Sequence, residues 1–106
     1  VLFPDAASAA RFLSAARTSW TGCSDRAMRY SQQPAPDQIW TVGPTHAESG
    51  LLTVSREQRS PQRWFCQRAL TVQANVGVDV EACSLQGPTS AAAAIANRIG
   101  DRLPTG

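Results

Sequence analysis

Residues 64–83 read WFCQRALTVQANVGVDVEAC, and they decide the fold because they predict a β-hairpin. Residues 64–72 and 76–83 are rich in β-branched, aromatic and alternating residues, which favours two strands. The three residues between them, 73–75, are the only turn candidate. The sequence therefore predicts an antiparallel pair of strands joined by a tight turn.

The hairpin brings two cysteines together. If it is centred between Ala74 and Asn75, then Cys66 and Cys83 are direct partners. Opposite residues of antiparallel strands have Cα separations that a disulfide accepts without backbone movement. Closing a loop of about 18 residues would contribute about 3 kcal/mol, and a disulfide indicates an oxidising compartment. Two buried free thiols in register are the alternative.

Charge and hydropathy exclude several classes of protein. All ten basic residues are arginines, the net charge is +2, and the arginines are spread along the chain, which argues against nucleic-acid binding. A chain of 106 residues forms one domain at most, here 1–106. No apolar run is long enough to cross a bilayer, and no signal peptide precedes Val1. Export or membrane attachment is therefore expected to depend on a segment outside this sequence.

The remaining pattern predicts two helices and three further strands. Asp5 is a suitable N-cap for a first helix, Thr21-Gly22 is a stop signal, and Cys23 is expected in the loop that follows. A second, amphipathic helix ends before Pro104. The predicted elements are a helix at 6–20, strands at 26–32, 38–43, 51–55, 64–72 and 76–83, and a helix at 90–103.

These elements place the chain in the α+β class, in the order α-β-β-β-β-β-α. An antiparallel sheet of four to five strands, flanked by two helices, gives each apolar stripe a partner. We expect both helices to pack on one face of this sheet, with the other face in solvent.

The sequence shows no catalytic or metal-binding constellation. The one histidine, His46, is expected in a surface loop without other ligands near it, so neither a metal nor a cofactor is predicted. Asp79 and Glu81 lie on one face of a strand and are either a carboxylate pair for acid–base chemistry or ion-pair partners of Arg68. Arg68 is directly opposite Glu81 and diagonal to Asp79, so that one arginine is able to serve both acids. No nucleophile has a neighbouring base, so the domain is predicted to be non-catalytic.

Three tryptophans and a polar strip on the hairpin are the candidates for ligand contact. Trp20 and Trp64 are expected in the core, whereas Trp40 lies either in the core or on a ligand surface. The polar strip is either a cleft wall or the solvated face of the sheet, and consists of Gln67, Arg68, Asn75 and Asp79.

Seven segments of the chain form a combination that is typical of one family. They are FPDAASAARFL at 3–13, WTGC at 20–23, IWTVG at 39–43, CQRAL at 66–70, NVGVDV at 75–80, AC at 82–83 and AAxxIANRI at 91–99. The most specific block runs from Cys66 to Cys83 and contains Arg68, Asn75 and Asp79. Together these segments resemble the PknH-like extracellular domain, which comprises sensor domains of mycobacterial receptor Ser/Thr protein kinases and related lipoproteins.

The resemblance implies a longer domain, of which this chain is the C-terminal part. It also implies two disulfides. One joins Cys66 to Cys83, and the other joins Cys23 to a cysteine in an upstream half of the same domain, before Val1. The resemblance further implies a location on the extracellular face of the membrane or in the cell envelope.

Two functions follow as hypotheses. The first is a ligand-sensing ectodomain of a transmembrane Ser/Thr kinase that binds an unidentified small molecule or cell-wall component in a cleft. Its candidate contacts are Trp40, Arg68, Asn75 and Asp79, with Arg68 suited to an anionic group. The second is a cell-surface lipoprotein module with a protein-interaction or structural role.

Overall fold

The computed structural model describes residues 1–104 as one five-stranded sheet with a helix at each end of the chain. Neighbouring strands are all antiparallel, and their spatial order follows the sequence. This confirms the predicted class and the order α-β-β-β-β-β-α. The elements are α1 (Ala6–Cys23), β1 (Arg26–Tyr30), β2 (Gln38–Glu48), β3 (Leu51–Ser60), β4 (Phe65–Gln73), β5 (Val76–Ser84) and α2 (Ala91–Asp101).

The β4–β5 hairpin has the predicted register. Cys66 pairs with Cys83 and Arg68 with Glu81, so the centre of the turn lies between Ala74 and Asn75. A disulfide joins the two cysteines, whose Cα atoms are 4.0 Å apart. Alternation along both strands therefore determined the register correctly.

The turn of this hairpin contains an alanine in the left-handed region. Ala74 has φ 53°, where the Cβ of an L-residue approaches the following carbonyl oxygen. Glycine avoids this contact because it has no Cβ, although it also gives the unfolded chain more freedom.

We expect Ala74→Gly to raise the free energy of unfolding by about 0.5 kcal/mol. Relief of about 1 kcal/mol of backbone strain is partly offset by the added freedom of the unfolded chain. Urea unfolding measures the change. The matched control is Ala94→Gly in the exposed middle of α2, which should lower the free energy of unfolding by about 1 kcal/mol. Equal losses in both variants would contradict the expected strain at Ala74.

The β2–β3 hairpin is longer than predicted. The sequence analysis ended β2 at residue 43 and β3 at residue 55, but the strands continue to Glu48 and Ser60. The register shifts between Val42 and Thr45, so β2 passes through Gly43-Pro44 as a bulge rather than ending there. Bulges accept proline because the missing N–H does not interrupt the ladder.

His46 therefore lies in a strand and not in the predicted loop. It is exposed and pairs with Thr53 of β3. The turn of this hairpin is Ser49-Gly50, where both residues have positive φ, 53° and 78°. Positive φ at both positions is the requirement of a type I′ turn, which suits the twist of a two-residue hairpin.

Helix α1 begins as predicted and ends three residues late. The Asp5 carboxylate accepts a hydrogen bond from Ser8 N at 2.7 Å, and this backbone bond lowers the pKa of Asp5. Thr21 and Gly22 do not stop the helix, and Cys23 is its last residue rather than part of a loop. The left-handed residue is Asp25, with φ 58°, immediately before β1.

The two helices lie on opposite faces of the sheet, not on one face as expected. On the α2 face, Ala92 and Ala96 of the helix form a fully buried cluster with Ala69 and Val78. Gln67 lies on the same face, where its side-chain Oε1 accepts a hydrogen bond from Ala93 N at 3.0 Å. Gln67 therefore caps the first turn of α2.

The α1 face carries the alternate residues of the same strands. Leu52 and Leu70 are its largest fully buried side chains and are direct partners across β3 and β4. Trp20 of α1 lies over Arg68, which follows Gln67 in β4 and therefore points to the opposite face. Within residues 1–104, no helix is both long and apolar enough to cross a membrane.

Candidate functional site: two clefts on the α1 face

Arg68 and Asp79 form a bidentate pair on the α1 face. Arg68 Nε lies 3.0 Å from Asp79 Oδ1, and Nη2 lies 2.7 Å from Oδ2. The guanidinium carbon is also 4.8 Å from the centre of the Trp20 ring. The hydrogen bonds to Asp79 raise the pKa of Arg68 above its ordinary value, so the arginine is permanently charged and held in place.

Glu81 is directly opposite Arg68, but it pairs with a different arginine. Arg56 Nη2 lies 3.2 Å from Glu81 Oε1, and the Arg56 guanidinium carbon lies 4.2 Å from the centre of the Trp40 ring. Of the two acids predicted to pair with Arg68, Asp79 on the diagonal does so, whereas Glu81 pairs with Arg56. Each carboxylate holds its own guanidinium, which favours a structural over an acid–base role for the two acids.

These side chains border a cleft of about 310 Å³ between the C-terminal end of α1 and the sheet, here called the α1 cleft. Its floor is apolar, since Met28, Val42 and Val54 line it, and its rim carries the two arginines and Glu81. The lining residues are Ser19, Trp20, Cys23, Met28, Val42, Val54, Arg56, Arg68 and Glu81.

Trp40 does not line the α1 cleft. It is buried, with 7% of its surface exposed, and its indole Nε1 donates to Gln38 Oε1 at 3.1 Å. It borders a second depression of about 420 Å³ on the same face, here called the tryptophan groove, whose wall also contains Trp64. Trp20 and Trp64 were expected in the core, but both are partly exposed because they lie at cleft rims.

Asn75 lies at the tip of the β4–β5 hairpin, apart from both clefts. Its Nδ2 donates to Phe3 O at 3.0 Å, and its carbonyl accepts from Phe3 N at 2.7 Å. Gly77 N and Val1 O continue this short antiparallel contact at 2.6 Å. Asn75 therefore fixes the N-terminal segment beside β5, and the four predicted contact residues do not form one cluster.

Cys23 is an exposed free thiol at the end of α1, on the border of the α1 cleft. Among residues 1–104, the only disulfide is Cys66–Cys83, and no group of three or more acidic, histidine or cysteine side chains is placed to hold a metal ion. The predicted partner of Cys23 upstream of Val1 stays a prediction.

Sequence reasoning missed Arg56 and Gln58, which line the clefts from β3. Both lie beyond the predicted end of that strand at residue 55. The signal was present, because Leu52, Val54, Arg56 and Gln58 continue one alternating series with a turn dipeptide, Ser49-Gly50, before it. Recognising that series would have placed both side chains on the same face as Leu52.

The fold and its clefts define a small disulfide-bonded α+β domain of the kind found in oxidising environments. A family model described as the PknH-like extracellular domain matches residues 1–102. The chain belongs to this family. The family is an extracellular region and not a kinase domain, so the domain itself is non-catalytic, as predicted.

Similar proteins agree with this assignment. The chain is 33% identical over 103 residues to the serine/threonine-protein kinase PknH of Mycobacterium bovis, covering 97% of this chain and 17% of the kinase. It is 32% identical to PknH of Mycobacterium tuberculosis, covering 97% and 16%. The crystal structure of the extracellular domain of PknH from Mycobacterium tuberculosis superposes with a TM-score of 0.87 at 33% identity, covering 96% of this chain and 52% of that one. The chain thus spans about half of the crystallised domain.

Proposed function

We propose that this domain is the ligand-binding part of an extracellular sensor in a transmembrane Ser/Thr protein kinase. The α1 cleft carries the proposal, because it is an apolar depression bordered by fixed polar groups, which is the usual composition of a small-molecule site. The family description and the names of the relatives support the kinase context. The lipoprotein alternative stays a prediction.

The composition of the α1 cleft favours an amphipathic ligand. Met28, Val42 and Val54 provide apolar surface for its body. Arg68 at the rim is already neutralised by Asp79, and Arg56 by Glu81, so a polar ligand group would meet hydrogen-bond donors with little net charge. An anionic ligand group would have to compete with Asp79 for Arg68.

A ligand of the α1 cleft is expected to stabilise the fold. At a free concentration one hundred times its dissociation constant, the ligand raises the free energy of unfolding by about 2.7 kcal/mol. For a domain of this size, this corresponds to an increase in melting temperature of about 10 °C or more. A thermal-shift screen of amphipathic cell-wall fragments measures this. Met28→Asp should abolish the shift, because Met28 lines the cleft from the exposed strand β1.

The matched control is Ala27→Asp, on the opposite face of the same exposed strand. This variant should keep the full ligand-induced shift. A screen without any stabilising compound, or an equal loss in the two variants, would reject the α1 cleft as the ligand site.

A further inference from the structure

The tryptophan groove has features of a second binding site, which shares Arg56 with the α1 cleft but is otherwise lined by different residues. It runs from β2 across β3 to the disulfide between β4 and β5, beside the connection from β3 to β4. Trp40 and Trp64 stand at its walls, Arg56 and Gln58 project from β3, and Cys66–Cys83 closes one end. Its volume of about 420 Å³ lies in the range that holds one or two sugar-sized groups.

Two buried polar atoms in this groove have no hydrogen-bond partner within the protein. Gln58 is only 4% exposed, yet its side-chain Oε1 accepts no bond. Arg56 Nε, on the same face of β3, likewise donates none. An unpaired buried polar group costs about 1–3 kcal/mol, so an acceptor and a donor retained two residues apart on one strand point to a ligand that satisfies both.

Both indole rings are held in place by the same local device. Trp40 Nε1 donates to Gln38 Oε1 and Trp64 Nε1 donates to Gln62 Oε1, each at 3.1 Å. The sequence thus uses Gln-x-Trp twice, and each glutamine fixes the ring two residues after it. Arg56 covers one face of the buried Trp40 ring, so the half-buried Trp64 ring offers the main apolar surface to the groove.

The groove carries no uncompensated charge. Its charged lining residue is Arg56, which is paired with Glu81 at 3.2 Å. An anionic or cationic ligand would therefore gain little Coulomb energy here, and a neutral ligand loses none.

We propose that the tryptophan groove binds a neutral pyranose sugar. One sugar hydroxyl donates to Gln58 Oε1, and a sugar oxygen accepts from Arg56 Nε, so that both unpaired atoms gain a partner. An acetamido group does the same through its N–H and C=O. The C–H face of the ring packs on the indole surface, which provides apolar contact without requiring a charge.

Titration followed by NMR tests this on the ¹⁵N-labelled chain, whose three tryptophans give three separate indole N–H signals. The probes are methyl β-glucoside, which offers hydroxyls only, and the β1,4-linked dimer of N-acetylglucosamine, which adds acetamido groups. The expected result is a saturable shift of the Trp64 and Trp40 signals with one or both probes, while the Trp20 signal stays in place. Failure of both probes to shift the Trp64 signal saturably would overturn the proposal.

Variants separate binding from folding. Trp64→Ala should weaken sugar binding about tenfold, and Trp64→Phe should retain most of it, because the phenyl ring keeps an apolar face. Gln58→Leu should weaken binding by a similar factor and yet raise the thermal midpoint, because it removes a buried unpaired group without a loss of volume. A Gln58→Leu protein that binds sugar normally would contradict the assigned role of the amide.

The proposals for the α1 cleft and for the tryptophan groove can be tested separately. Met28→Asp blocks the α1 cleft and should leave the sugar-induced shift of the Trp64 signal unchanged, because Met28 does not line the tryptophan groove. The Trp64 signal is the readout here, since Met28 is the cross-strand partner of Trp40. Sugar binding that disappears in Met28→Asp and persists in Trp64→Ala would place the sugar in the α1 cleft and reject the groove.

Discussion

Reduction of the Cys66–Cys83 disulfide is expected to lower the free energy of unfolding by about 3 kcal/mol. The two residues are 17 apart in the sequence, and opening a loop of this size restores the corresponding chain entropy to the unfolded state. For a domain of about 100 residues this is a large share of the total stability. Urea unfolding with and without reductant measures it.

The experiment is best made in a Cys23→Ser background, which prevents thiol exchange with the exposed cysteine. The Cys23→Ser change alone should leave the unfolding midpoint nearly unchanged, since the side chain is exposed. If reduction leaves the stability of this background intact, the bond contributes no net stabilisation. The double variant Cys66→Ala/Cys83→Ala cannot form the disulfide, so its free energy of unfolding gives a second measurement of the bond's contribution.

Leu70→Ala is expected to cost about 3 kcal/mol of stability. Leu70 is 1% exposed and lies beside Leu52, which is 2% exposed, in the centre of the α1 face. Truncation removes buried methyl groups and leaves a cavity that the rigid sheet cannot close, and such changes cost about 2–5 kcal/mol.

The control for this change is Leu85→Ala, in the segment after β5. Leu85 is 54% exposed, so its truncation should change the free energy of unfolding by less than about 0.5 kcal/mol. Denaturant unfolding of both variants measures the two changes in the free energy of unfolding. Similar losses would mean that the α1 face is not a packed layer.

Short-range patterns in the sequence determined the β4–β5 hairpin and the two helices. The register of β4 and β5 followed from alternation and from centring the turn between Ala74 and Asn75, because a slip of one residue would have reversed every side chain. Helix α1 was located from Asp5, whose side chain caps it as predicted. These features are local, so the residues that cause them lie next to each other in the chain.

Errors arose where tertiary contacts overrule a local signal. Gly43-Pro44 is a break in isolation, but pairing with β3 carries β2 through it as a bulge. The placement of the helices was missed for a similar reason. Ala69 and Leu70 are consecutive and both fully buried, which requires cover on both faces, whereas the alternating pattern of the hairpin suggested one covered face.

The candidate site was only partly predictable. Arg68 and Asp79 do lie together, but the partner of Arg68 depends on side-chain reach across a diagonal, which register alone does not determine. Trp40 and Asn75 lie elsewhere, and the polar atoms that best indicate a ligand belong to Arg56 and Gln58. Their burial depends on the full length of β3.

The order of the strands has a consequence for how the chain folds. Each strand pairs with its neighbour in the sequence, and two of the hairpins close through only two residues, 49–50 and 74–75. The sheet can therefore form by local steps with small loop-closure entropy, which favours rapid folding. By contrast, the hydrogen bonds between Val1 and Gly77 join residues that are 76 positions apart, which closes a much longer loop. The N-terminal segment can therefore dock only after β5 has formed.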